Sequence, residues 1–190
     1  QPGCIHYSEN MDTYDTEELT DLGDTYIKMA MKHNQSQRPF FTDKMPANFQ
    51  HVGLIRMILP EAKIIDARRS PIATCIANYR QLYATGKNHA YDLTELAEYY
   101  LEYVRVMDHW NEVMPDQVLR VNYEEMVNNS DVQISRMLEF CNLDFEQSCL
   151  EFYNNTRYVN TASSEQVREP IYNTSLEYWQ NYEKYLEKNI

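Results

Sequence analysis

The feature that most constrains the fold of this chain is a strand, turn and helix predicted over residues 63–86. Residues 63–67 form a short apolar run that is typical of a buried strand. Pro71 suits the first position of a helix, where its missing N–H costs nothing, and the helix is predicted to run through Tyr79 to about Gly86. Arg68 and Arg69 therefore lie in the turn, at the carboxyl end of a strand and before a helix.

The rest of the chain alternates helical patterns with short β-branched runs. Helical spacing predicts helices over residues 15–33, 52–59, 92–114 and 145–153, and others that begin at Tyr123 and near Ile134. Residues 118–121 predict a second strand, and Phe40 and Phe41 could form a third. Helices separated by isolated strands indicate an α/β sheet with helices on its faces. Because no repeat or linker interrupts the 190 residues, we expect a single domain over residues 1–190.

Composition limits the partners. The formal net charge of −12 argues against general binding to nucleic acid, so an anion site would have to be local. No apolar run reaches the roughly 20 residues that a membrane helix needs, and we expect no membrane partner. The four cysteines lack paired metal or redox spacing and the histidines lack metal spacing, so no metal is predicted. Free thiols favour a reducing compartment, and we expect a cytoplasmic protein.

Arg68 and Arg69 are the first candidates for an anion site. Ligands of open α/β sheets collect outside the carboxyl ends of strands, and a helix N-terminus adds N–H groups and a positive dipole. Lys63, Arg80 and Lys87 make this stretch basic within an acidic chain. The alternative is that these arginines pair with surface carboxylates, which composition alone favours.

Three further places could carry chemistry, and each has an ordinary alternative. Lys44 could stabilise an oxygen of a transferring sulfuryl or phosphoryl group, or be a plain exposed lysine. Tyr123 follows the second strand and could stack on a base, or be a core tyrosine. The polar segment 161–172 could close over a phosphate or be a surface loop.

Taken in order, these segments resemble the sulfotransferase family, especially its bacterial branch fused to tetratricopeptide repeats, and more distantly the tyrosylprotein sulfotransferases. The resemblance spans roughly residues 15–182. Its most specific motifs are Asp43-Lys44-Met45-Pro46, Arg68-Arg69-x-Pro71, Tyr79-Arg80-Gln81-Leu82-Tyr83, Asp92-Leu93-x-x-Leu96 with Tyr99-Tyr100, Tyr123-Glu124, and Ser163-Ser164-x-Gln166-Val167-Arg168-x-Pro170.

The resemblance implies a P-loop-NTPase-like α/β fold with a short parallel sheet flanked by helices, and a sulfuryl transfer from 3′-phosphoadenosine 5′-phosphosulfate (PAPS) to a hydroxyl or amine. The acceptor could be a small molecule, a glycan or a peptide. On the matching positions, Lys44 would be catalytic and Arg69 would hold the 3′-phosphate. Tyr123 would lie near the adenosine, and the closing loop would supply Ser163, Ser164, Gln166 and Arg168.

The chain departs from the family pattern at two places. The family's first strand and its glycine- and serine-rich phosphate loop correspond to nothing in these residues, so we expect an N-terminally incomplete domain. Ala77 stands where the family usually has a serine on the 3′-phosphate. These departures keep open a second hypothesis, a catalytically inactive interaction module with this fold. The catalytic base stays unassigned, with His51 on a helix surface as one candidate.

Overall fold

A computed structural model of the chain describes residues 11–32, 38–83, 88–156, 159, 165–173 and 176–186. The chain divides into two compact units, Gln1–Ala62 and Lys63–Ile190. The expectation of one domain over residues 1–190 stays a prediction. No helix within the described ranges has the length and apolar character needed to cross a bilayer.

The first unit contains helices α1 (Thr16–Met31) and α2 (Val52–Ile58), with a 3-10 helix (Pro46–His51) leading into α2. Asp15 caps α1 and forms a reciprocal capping box with Glu18, so the start of this helix is encoded locally. Gly23 is buried where α1 meets α2, and a Cβ there would lie 2.0 Å from the carbonyl oxygen of Ile58. The strand expected at Phe40 and Phe41 is wrong, since these residues are exposed and lie in no regular element.

The second unit is built on two parallel strands, β1 (Ile64–Arg68) and β2 (Val118–Asn122). Their register pairs Asp66 with Arg120 and Arg68 with Asn122, so both strands end at the same edge. Between them the chain forms α3 (Pro71–Tyr79) and α4 (Leu93–Val113), the crossover that parallel strands require. The predicted α/β class, with a short parallel sheet flanked by helices, is confirmed.

Helices pack around this sheet and around each other. Asp92 caps α4 by accepting the backbone N–H groups of Thr94 and Glu95. Cys75 of α3 and Leu96 of α4 form a buried cluster with Ala90. After β2 the chain continues as α5 (Tyr123–Asn128) and α6 (Ser130–Phe140), and α7 (Glu183–Leu186) lies near the end of the chain.

Residues 145–153 do not form the expected helix. They contain two short 3-10 helices, Gln147–Cys149 and Phe152–Asn154. Neither has a side-chain cap on its N-terminus, and no residue of either is buried. Without a cap or a buried face, the apolar spacing in this stretch did not suffice to specify a continuous α-helix.

Candidate functional site

The turn between β1 and α3 lies at the carboxyl edge of the sheet and is fixed at two successive residues. The hydroxyl of Tyr100, on α4, donates to the carbonyl oxygen of Arg69 at 2.7 Å. The next backbone N–H, that of Ser70, donates to Oε1 of Glu124, on α5, at 2.9 Å. Two helices distant in sequence therefore hold the backbone that carries Arg69.

Arg69 and Tyr123 meet at this edge. The guanidinium carbon of Arg69 lies 5.0 Å from the centre of the Tyr123 ring, within the range of a cation–π contact. Tyr123 is the first residue after β2, and Arg69 is the first after β1. The parallel register thus brings together two residues that the sequence placed at separate strand ends.

Arg68 does not share the contact between Arg69 and Tyr123 but belongs to a largely buried network of charged and hydrogen-bonded side chains. One of its nitrogens lies 3.1 Å from Oδ2 of Asp66, whose side chain is 4% exposed. The Tyr103 hydroxyl makes a short hydrogen bond to the same carboxylate and lies 3.3 Å from Nε of Arg68. Arg120 approaches Asp66 from β2, with its Nε 3.6 Å from Oδ2. We call these four residues the Asp66 network.

The Asp66 network corrects the expectation that Arg68 and Arg69 serve one anion site, because Arg68 is occupied by a carboxylate. The alternative that composition favoured, pairing with an acid, holds for Arg68, although the pair is buried and not on the surface. Burial opposes the charge of Arg68, but its contacts with Tyr103 and Asp66 leave the pKa of the guanidinium above its ordinary value. Burial, together with the hydrogen bond to Asp66, raises the pKa of Tyr103.

The remaining cations of the basic stretch contact aromatic rings. Arg80 lies 4.6 Å from the centre of the Tyr178 ring and 5.4 Å from that of Tyr182. Lys63 lies over the ring of Phe140 at 5.5 Å. Lys87 falls outside the described residues. Arg68 also lies over a tyrosine ring, that of Tyr103, but it is paired with Asp66. Arg69 therefore stays the candidate for an anion at the carboxyl edge of the sheet.

Lys44 belongs to the first unit, where its side chain is exposed. The residue before it is held from two sides. The Tyr26 hydroxyl, on α1, donates to Oδ2 of Asp43 at 2.6 Å, and the Asn48 amide donates to Oδ1 at 3.3 Å. Burial and the Asp43 carboxylate raise the pKa of Tyr26 to about 12. His51, the other candidate in this unit, ends the 3-10 helix before α2 and is half-buried.

The predicted closing loop is described only in part. Gln166 and Arg168 lie on one short 3-10 helix, Gln166–Arg168, with Gln166 exposed and Arg168 half-buried. Ser163 and Ser164 lie outside the described residues. The roles predicted for these four residues stay predictions.

The second unit also has an apolar cavity and free cysteines. An open apolar cavity of about 480 Å³ lies on the α6 side and is lined by Ile65, Met126, Ile134, Met137, Leu138, Cys141, Cys149, Phe152 and Ile171. The described cysteines, Cys75, Cys141 and Cys149, are free, and burial raises the pKa of Cys75. Among the residues that the structure describes, no group of three His, Cys, Asp or Glu side chains could hold a metal ion.

Comparison with known proteins identifies the family. The sequence model described as "Sulfotransferase family" matches residues 4–147, about three quarters of the chain. The chain belongs to the sulfotransferase family. It is also 35% identical over 176 residues to an uncharacterized protein of Aquifex aeolicus (strain VF5). That match covers 91% of this chain and 23% of the relative, so the chain spans less than a quarter of the relative's length.

Sequence reasoning missed the parts played by Tyr100 and Glu124 at the carboxyl edge. Both residues stood in motifs that support the family resemblance, but neither had an assigned contact. The position of Glu124 directly after Tyr123 was the available signal, because a residue at the carboxyl end of one parallel strand lies beside the turn that follows its neighbour. Tyr100 gave no comparable signal, since it lies on an ordinary apolar helix face.

Proposed function

We propose that this sulfotransferase-family chain forms part of an enzyme that transfers a sulfuryl group from PAPS to a hydroxyl or amine acceptor. The observation that carries the proposal is the pairing of Arg69 and Tyr123, 5.0 Å apart, at the carboxyl edge of β1 and β2. A guanidinium fits a phosphate by charge-assisted hydrogen bonds, and a phenol ring offers a flat surface to a purine. The residues present therefore suit the chemistry of a phosphorylated adenosine.

In this proposal Arg69 binds the 3′-phosphate of the donor and Tyr123 lies near the adenosine. The N-terminus of α3 adds a positive dipole beside Arg69, which favours an anion further. Ser163, Ser164, Gln166 and Arg168 would supply the loop that closes on the donor. The interaction of Arg69 with the Tyr123 ring would hold the guanidinium in place before the donor arrives.

The transfer step balances without a metal or covalent intermediate. A lone pair of the acceptor oxygen or nitrogen forms the new bond to sulfur, while the bond from sulfur to the bridging phosphate oxygen breaks. The electron pair of that bond stays on the leaving adenosine 3′,5′-bisphosphate (PAP). The acceptor proton passes to a base that is still unassigned. The ammonium group of Lys44 would stabilise the charge that grows on the bridging oxygen.

Ala77 supports a second candidate function, an inactive interaction module with the sulfotransferase fold. It is exposed in the last turn of α3, where an alanine offers no hydroxyl to a phosphate. A missing hydrogen bond of this kind costs only about 1 kcal/mol, or somewhat more with a charged acceptor. The loss is small beside that of a guanidinium, so we place the enzyme first.

Calorimetric titration of the full-length protein with PAP tests the proposal. We expect Arg69→Ala to weaken binding by roughly tenfold to a hundredfold, the value of one or two charge-assisted hydrogen bonds. Arg105→Ala is the matched control, because Arg105 lies on α4 in the same unit and pairs with Glu102 on the surface. Equal PAP affinity in the Arg69→Ala variant would contradict the proposed role, and a wild-type protein that binds no PAP would favour the inactive module.

A further inference from the structure

We infer that Tyr100 and Glu124 are positioning residues for Arg69, and that they act on the backbone of the turn and not on the ligand. The inference rests on the proposed donor site. It adds two residues from separate helices, and it predicts that the negative charge of Glu124 is dispensable while its hydrogen-bond acceptor is not. We call these two residues the turn brace.

The turn brace holds both sides of one peptide group. Arg69 provides the carbonyl that accepts from the Tyr100 hydroxyl at 2.7 Å, and Ser70 provides the N–H that Glu124 accepts at 2.9 Å. A peptide group is planar and rigid, so two contacts on its two polar atoms fix its plane. The Cα of Arg69 lies in that plane, so the two contacts restrict where the turn can place the Arg69 side chain.

The turn between β1 and α3 depends on support from other helices. The side chain of Ser70, at the N-cap of α3, makes no capping hydrogen bond, and Pro71 follows it. The start of α3 is therefore not held by its own cap residue. Glu124 supplies an acceptor to the backbone at this point from α5. Tyr100 is partly buried against the apolar cluster that contains Cys75 and Leu96, which anchors the other contact.

Glu124 could affect ligand binding in two ways, through the hydrogen bond that its oxygen accepts and through its negative charge. A carboxylate next to a phosphate site repels the ligand, so its charge opposes anion binding. The presence of Glu124 beside the site is consistent with phosphate binding if its carboxylate oxygen is needed to accept the Ser70 N–H. Glutamine has an amide oxygen at the same place and carries no charge. Glu124→Gln should therefore keep the turn in place and also remove the repulsion.

Calorimetry with PAP on the full-length protein tests the turn brace. We expect Glu124→Ala to weaken binding roughly tenfold, as loss of a hydrogen bond to a charged acceptor would. We expect Glu124→Gln to bind as tightly as the wild type or several-fold tighter, and Tyr100→Phe to bind several-fold more weakly. Glu125→Ala is the matched control, because Glu125 is the next residue of α5, is exposed, and contacts Asn122 at 3.3 Å.

Amide hydrogen exchange on the ligand-free variants gives a second readout that does not depend on PAP. The Ser70 amide should lose protection in Glu124→Ala and retain it in Glu124→Gln. If Glu124→Ala loses this protection but binds PAP as the wild type does, or if Glu124→Gln binds as weakly as Glu124→Ala, the inference is wrong while the proposed function stands. If the wild-type protein binds no PAP, the proposed function fails and the inference fails with it.

Discussion

Replacing Asp66 should destabilise the second unit more than replacing any exposed acid of the chain. The Asp66 side chain is 4% exposed and that of Arg68 is 13% exposed, so the pair is almost withdrawn from water. Removal of one partner of a buried pair leaves the other charge uncompensated, which typically costs about 3–5 kcal/mol. Arg68 would keep its contact with the Tyr103 ring at 5.1 Å, so we expect Asp66→Ala to lie near the lower end of that range.

Urea unfolding followed by circular dichroism measures this cost as a change in the free energy of unfolding. Asp108→Ala is the control, since Asp108 is 57% exposed and pairs with Arg120 at 2.7 Å. We expect it to cost at most about 1 kcal/mol, as exposed pairs do. Removing both charges, in Asp66→Leu with Arg68→Met, should recover about 1–2 kcal/mol relative to Asp66→Ala. A cost below about 1 kcal/mol for Asp66→Ala would refute the reasoning.

Two further predictions concern the first unit. Gly23→Ala should destabilise this unit by about 1–3 kcal/mol in urea unfolding, despite the better helix propensity of alanine, because the new Cβ would lie 2.0 Å from the Ile58 carbonyl oxygen. The substitution Asp24→Ala, at the exposed neighbouring residue, is the control and should change the free energy of unfolding little. An equally small effect of Gly23→Ala would contradict the close packing. Burial and the contact with Asp43 raise the pKa of Tyr26 to about 12, against an ordinary 10.0. The stability that the neutral phenol contributes is therefore full below about pH 10 and is lost as the pH rises towards 12. Unfolding measured across this range should show a smaller alkaline loss in Tyr26→Phe, and identical pH dependence would show that the contact does not contribute.

The elements most accurately predicted from the sequence were those with local signals. Thr16 with Glu18, Asp92 and Pro71 predicted helix starts from neighbouring residues alone, and helices begin at Thr16, Leu93 and Pro71. The end of α3 was predicted less well, because the helix stops at Tyr79 and not near Gly86. The prediction for residues 145–153 failed because it rested on apolar spacing alone. A helix of that length depends on tertiary packing, and spacing does not say whether a partner surface is there.

The candidate site shows the same division between local and long-range information. The sequence placed Arg69 and Tyr123 after two strands, and parallel pairing of those strands then brings them together. Apart from the family resemblance, which assigned the 3′-phosphate to Arg69, the local pattern could not separate Arg68 from Arg69. The difference depends on which face of β1 meets Tyr103, thirty-five residues away in the chain. Such contacts between distant segments depend on register and helix placement, which local patterns do not specify.

The central claim, that Arg69 binds the 3′-phosphate of the donor, is tested most directly by a cycle that removes the residue and the phosphate in turn. Calorimetry would give the affinities of PAP and of adenosine 5′-phosphate for the wild-type protein and for Arg69→Ala. We predict that the wild type prefers PAP by roughly tenfold to a hundredfold and that this preference largely disappears in Arg69→Ala. The same preference in both proteins would contradict the claim.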